Sequence, residues 1–158
     1  MILIGFMGSG KTTIAKLLGA HMGREILDLD EEIVKSSGMA IPEIFAAEGE
    51  TGFRLREYDV LKALPNQHIL ATGGGVVTYA ASRRLLMEMD QPIIYLHADF
   101  PTLYNRIRED MNRPLVKDKE SVKKLYEERL DLYRSTSTIE VDATSTPKTI
   151  VDQIMQSL

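Results

Sequence analysis

The chain has 158 residues, 44% of them hydrophobic and 27% charged, with a net charge of -4 at pH 7. That length suits one domain with a sizeable core and is short for two, and the acidic balance leaves no excess of basic surface to attract a phosphate backbone, so no nucleic-acid partner is expected. The absence of cysteine excludes disulfides and thiolate metal sites, no apolar run approaches a membrane span, and no basic leader with an apolar core is visible, so a cytoplasmic protein is expected.

The opening stretch, MILIGFMGSGKTT, predicts a strand over Met1–Ile4 that runs into a glycine-rich loop. Gly5 to Thr12 fit the pattern G-x-x-x-x-G-K-[ST], which belongs between a strand and a helix. Glycines at 5, 8 and 10 let successive N–H groups converge on phosphate oxygens, and the following helix adds the positive end of its dipole. Lys11 supplies a full charge toward the outer phosphates, and the Thr12 hydroxyl can join the coordination sphere of Mg²⁺. Gly8, Ser9, Gly10, Lys11, Thr12 and Thr13 are therefore expected to bind a nucleoside triphosphate. Ile14, Leu17, Leu18 and Met22 then recur at helical spacing, predicting a helix packed on a sheet.

A second strand, Glu25–Leu27, leads into Asp28-Leu29-Asp30. If the chain stays extended there, both carboxylates point to one side, at the strand end where open α/β sheets bind ligands. One acid could then hold Mg²⁺ while the other meets an acceptor hydroxyl. The alternative makes Asp30 a helix N-cap ahead of Glu31, Glu32 and Ile33. The segment Ile41–Leu64 carries Gly49 and Gly52 and predicts two or more helical pieces. Within it Arg54 and Glu57 stand three apart. They form either an arginine held ready for an anionic substrate or an ordinary exposed ion pair.

The third predicted strand, His68–Thr72, ends in ILATGGG. There is no guanine-reading N-K-x-D stretch and no apolar strand closing on paired acids, as a motor ATPase would carry, so the choice narrows to a small-molecule kinase. Arg108–Lys119, REDMNRPLVKDK, interrupts two helical patterns and is a candidate mobile lid. Strands over Pro92–His97 and Ser137–Val141, with Ile150, Val151, Ile154 and Leu158 at helical spacing near the end, complete an alternation that builds a parallel sheet covered by helices.

In order and spacing, GFMGSGKT, Asp28-Leu29-Asp30, Phe53-Arg54-x-x-Glu57, the TGGG of Thr72–Gly75, the RPLV of Arg113–Val116 and the ERLDLYR of Glu128–Arg134 together resemble the shikimate kinase family along essentially the whole chain. The resemblance implies a single-domain α/β P-loop kinase fold: a five-stranded parallel sheet flanked by helices, like nucleoside monophosphate kinases, with a lid near 108–119 and a substrate-binding helical segment near 30–64. It implies transfer of the γ-phosphoryl of ATP to the 3-hydroxyl of shikimate, with Mg²⁺, by a monomer. Asp30 would bind the shikimate hydroxyls beside the reacting oxygen, and Asp28 would act near the metal with Thr12. Arg54 and Arg129 would grip the carboxylate, Glu57 would hold Arg54, and Gly74 and Gly75 would bring backbone against the ring. Arg113 would close over the ATP phosphates, and the adenine loop would fall near Thr144–Pro147.

Overall fold

The computed structural model describes residues 1–109 and 118–158. Five strands form one parallel sheet: β1 (Ile2–Ile4), β2 (Ile26–Asp28), β3 (Ile69–Ala71), β4 (Ile93–His97) and β5 (Ile139–Asp142), in the order β2-β3-β1-β4-β5. Each lies within two residues of its predicted span. β1 pairs with β3 on one side (Ile2 opposite Leu70) and β4 on the other (Ile2 opposite Ile93). Ile2, Leu3 and Ile4 are completely buried, as a central parallel strand covered on both faces must be.

The helices are α1 (Lys11–Met22), α2 (Leu29–Ser37), α3 (Ile41–Ala63), α4 (Ala80–Glu88), α5 (Phe100–Glu109), α6 (Lys119–Thr136) and α7 (Pro147–Ser157). A short 3₁₀ turn, Val76–Thr78, precedes α4. The buried stripe of α1 is Ile14, Ala15, Leu18 and Gly19; Leu17, expected on that face, lies off the stripe and is exposed. In α7, Ile150, Val151 and Ile154 are buried as expected, whereas Leu158 stands beyond the helix and is exposed.

The expected division of Ile41–Leu64 appears as a break inside α3 at Gly49, where φ is 69° and ψ is -175°. Across the break, Arg56 donates to both carboxylate oxygens of Glu48 at 2.7 Å, a two-pronged pair that fixes the angle between the two pieces. The central part of the expected lid, with Arg113, lies outside the described residues. Among the described residues no helix is long and apolar enough to cross a membrane.

Candidate active site

The loop from β1 to α1 folds as its glycines require. Gly8 and Gly10 have φ of 81° and 89°, a left-handed conformation that costs other residues dearly. Gly10 is the N-cap of α1 and offers no side-chain cap, so the first N–H groups of that helix are available to an anion. Ser9 is buried, and its N–H donates to the Phe6 carbonyl at 3.2 Å, closing the turn. The Lys11 ammonium curls over the loop, donating to Gly5 O at 2.7 Å and Phe6 O at 3.0 Å. Thr12 and Thr13 lie in the first turn of α1.

Asp28 and Asp30 do not continue one extended strand. Asp28 ends β2 and caps α2, its Oδ1 accepting from the N–H groups of Asp30 at 3.0 Å and Glu31 at 3.4 Å. Asp30 therefore sits inside α2, so the strict alternation expected for the pair fails, and the cap is Asp28 instead of Asp30. The reason is local: an aspartate one residue before a helix satisfies N–H groups that otherwise lack partners. The other Asp28 oxygen, Oδ2, accepts from the Thr12 hydroxyl at 3.1 Å. Among the described residues no group of three or more histidines or carboxylates is placed to hold a metal. Thr12 and Asp28 stand together as two oxygen donors of the kind that could serve Mg²⁺.

On the other side of the glycine turn after β3, two arginines and a carboxylate are buried together. Arg54 Nη1 donates to Glu57 Oε1 at 2.8 Å, with Glu57 wholly inaccessible to solvent. This is no exposed ion pair. Glu50 stands at the far side, 3.6 Å from Arg54 Nε. Arg129, from α6, is also buried, and its guanidinium lies over the Phe6 ring. Among the described residues, the buried Nε groups of Arg54 and Arg129, and Oε2 of Glu57, make no hydrogen bond. Burial pushes Glu57 up to about 6, against the opposing pull of Arg54, while the negative charge of Asp30 adds to the rise.

The turn itself is shaped around these groups. A Cβ at Gly73 would stand 3.0 Å from Asp30 Oδ1 and 3.5 Å from Glu57 Oε2, so both carboxylates flank it. A Cβ at Gly75 would lie 1.9 Å from Arg54 Nη2, which means that the guanidinium occupies the space a side chain would need. Gly74 faces Arg129 Nη1 and the Met7 amide of the phosphate loop. Thr72 pins the start of the turn to β1, its hydroxyl donating to Leu3 O at 2.8 Å.

The fold thus brings together Lys11, Thr12 and Asp28 at the phosphate loop, and Asp30, Arg54, Glu57, Gly74, Gly75 and Arg129 around the glycine turn. Two residues were not anticipated. Arg106 of α5 donates to Gly8 O at 3.3 Å and Ala143 O at 2.9 Å, tying the phosphate loop to the loop after β5 that leads through Thr144 into α7 at Pro147. A lone arginine in an amphipathic helix gives no sequence signal of this. Tyr133, whose hydroxyl donates to Gly74 O, had one: it follows Arg129 by four residues, on the same helix face.

Comparison with known proteins gives a consistent result. The profile of the family described as Shikimate kinase matches residues 7–158. The chain is 39% identical over its full length to the shikimate kinase of Nitrosospira multiformis, covering 84% of that protein. It is 39% identical to the shikimate kinase of Enterococcus faecalis, covering 97% of it. The solved structure of shikimate kinase from Acinetobacter baumannii in complex with shikimate is similar with a TM-score of 0.90 at 36% identity, over 99% of this chain and 90% of that one.

Proposed function

Since the chain belongs to the shikimate kinase family and phosphorylates shikimate in the aromatic pathway, we propose how its residues divide that transfer between them. The phosphate loop, Gly8 to Thr13, cradles the triphosphate of ATP, and Lys11 leaves its loop carbonyls to meet the outer phosphates. Thr12 and Asp28 hold Mg²⁺, which when bound neutralises charge on the phosphates. Arg54 and Arg129 grip the shikimate carboxylate, Glu57 fixes Arg54, and the Gly74 and Gly75 backbone lies against the ring. Asp30 orients the 3-hydroxyl. Its oxygen attacks the γ-phosphorus, the bond from that phosphorus to the bridging oxygen of ADP breaks, and the hydroxyl proton passes to the Asp30 carboxylate. Arg113 is assigned by sequence to the closing phosphate contact. From its size and its family we read the enzyme as a monomer, and light scattering that gave a dimer mass would overturn this.

One observation carries the acceptor assignment. Two guanidinium groups are buried against one glycine turn, and among the described residues neither Nε–H makes a hydrogen bond, the nearest acceptor to Arg54 Nε being the Glu50 carboxylate at 3.6 Å. A buried charged donor without a partner is costly, and a carboxylate presented between them relieves both. The test is Arg129→Ala. Losing one charge-assisted grip of roughly 1.5–3 kcal/mol should weaken shikimate binding about ten- to a hundred-fold, while ATP affinity stays within about twofold. Weakened ATP binding instead would place this arginine on the other substrate.

A further inference from the structure

Resting on that assignment of the glycine turn and Arg129 to shikimate, we propose that Tyr133 is a positioning residue for the acceptor: its hydroxyl, bonded to the Gly74 carbonyl, sets the peptide plane that lies between the two carboxylate-gripping arginines.

Tyr133 is fully buried. Its ring stacks on Tyr95 of β4, centroids 5.0 Å apart and planes 22° from parallel, so the sheet on one side and the α6 backbone on the other fix where the hydroxyl stands. Burial pushes that hydroxyl up to about 12, with the neighbouring Arg129 charge opposing the rise. The group is therefore a neutral O–H donor whose acceptor is Gly74 O, and Arg129 is a second hydrogen-bond partner of the same hydroxyl.

The consequence follows from amide geometry. The Gly74 carbonyl and the Gly75 N–H belong to one planar trans unit and point in opposite directions. Anchoring the oxygen toward α6 aims the Gly75 N–H away from it. Among the described residues neither the Gly74 nor the Gly75 N–H donates to a protein acceptor, so both remain available to a ligand. Gly75 is also where the Arg54 guanidinium fills the missing side chain's space, and Gly74 is where Arg129 Nη1 approaches to 3.7 Å of the corresponding point. A turn of three glycines has little stiffness of its own. A shift in it moves the surface against which both arginines are set, and misplacement of a bound reactant by a fraction of its contact distance is expensive in rate.

Tyr126 provides a matched control. It lies on the same helix, is also buried, and its hydroxyl also makes one bond to a backbone carbonyl, Ala98 O at 2.9 Å, away from the glycine turn. Tyr133→Phe and Tyr126→Phe each keep the ring and remove one bond to a backbone carbonyl, Tyr133→Phe losing the Arg129 contact as well, so each should lower the melting temperature by a few degrees. Only Tyr133→Phe should lower kcat/KM for shikimate, by about tenfold, with KM for ATP within about twofold of wild type. A role confined to stability would move the melting temperature without this split. Tyr133→Phe with a kcat/KM for shikimate within about twofold of wild type overturns the proposal, as does an equal loss in Tyr126→Phe. Arg129→Ala, measured alongside, separates the two levels: if it weakens shikimate and Tyr133→Phe does not, only the positioning role fails. If neither affects shikimate, the site assignment fails with it.

Discussion

Asp28 and Asp30 stand two residues apart and serve different ends. Asp28 caps α2 with one oxygen and meets Thr12 with the other, whereas Asp30 faces Gly73 beside Glu57. Because Asp30 is not the cap, replacing it tests chemistry with little confusion from folding. Asp30→Asn keeps the shape, removes charge and basicity, and should lower turnover by roughly a hundredfold or more with the melting temperature nearly unchanged. Near-normal turnover in the purified variant would remove Asp30 from the transfer step. Glu57 makes a pH prediction. Its folded value of about 6 lies above the ordinary 4.5, so between those values the folded state holds the extra proton and this group's contribution to stability falls as pH rises. Its hold on Arg54 runs the opposite way, being lost as Glu57 is neutralised below about pH 6 while Asp30 and Arg129 also face it. KM for shikimate should therefore climb several-fold between about pH 7.5 and about pH 5.5, and Glu57→Gln should flatten that climb by raising KM at the upper end. An unchanged pH profile in the variant would show that the charge of Glu57 does not set Arg54.

Four elements carry the proposed acceptor site: α2 with Asp30, α3 with Arg54 and Glu57, the turn after β3, and α6 with Arg129 and Tyr133. The phosphate loop was readable because its glycines, lysine and threonine are contiguous and each has a local reason. The strands were readable because short apolar runs alternate with helical periodicity. The route of the chain at Asp28–Asp30 was not, because an N-cap aspartate and an extended one look alike in sequence, and the choice turns on where α2 begins. The burial of Arg54 and Glu57 was not either: a spacing of three is the same on a solvated face as in a pocket, and only the packing of α3 against the glycine turn distinguishes them. That packing yields its own prediction. Gly75→Ala inserts a methyl where the Arg54 guanidinium now sits, and the flexible arginine must yield before the backbone does. The variant should fold, but with Arg54 displaced from Glu57 its KM for shikimate should rise about tenfold or more, the scale of a lost charge-assisted pair. A KM for shikimate within about twofold of wild type would mean that Arg54 can grip from elsewhere.

At the scale of the molecule, the order β2-β3-β1-β4-β5 sets the carboxyl ends of β1, β2 and β3 side by side, so the phosphate loop, Asp28 and the glycine turn converge although they are spread from residue 5 to residue 75. Alternation of strands and helices predicts a parallel sheet but not this order, which is why the convergence needed the structure. The proposed function puts the two ligands at adjacent but separable sites of a single domain, and mass action makes that separation measurable. A ligand present at a hundred times its Kd stabilises the folded state by about 2.7 kcal/mol. In a domain of this length that corresponds to a melting-temperature rise of about 5–10 °C. Shikimate at that concentration should give the full rise in wild type and in Lys11→Met, but about half or less in Arg129→Ala, whose affinity is ten- to a hundred-fold weaker. ATP with Mg²⁺ should show the reverse, with its rise intact in Arg129→Ala and reduced in Lys11→Met, because the lysine charge is proposed to serve the outer phosphates and not shikimate. The crossed pattern is the discriminating result. If each variant lost both shifts together, the two sites would be one coupled pocket, and the separate assignment of Lys11 to ATP and Arg129 to shikimate would fall.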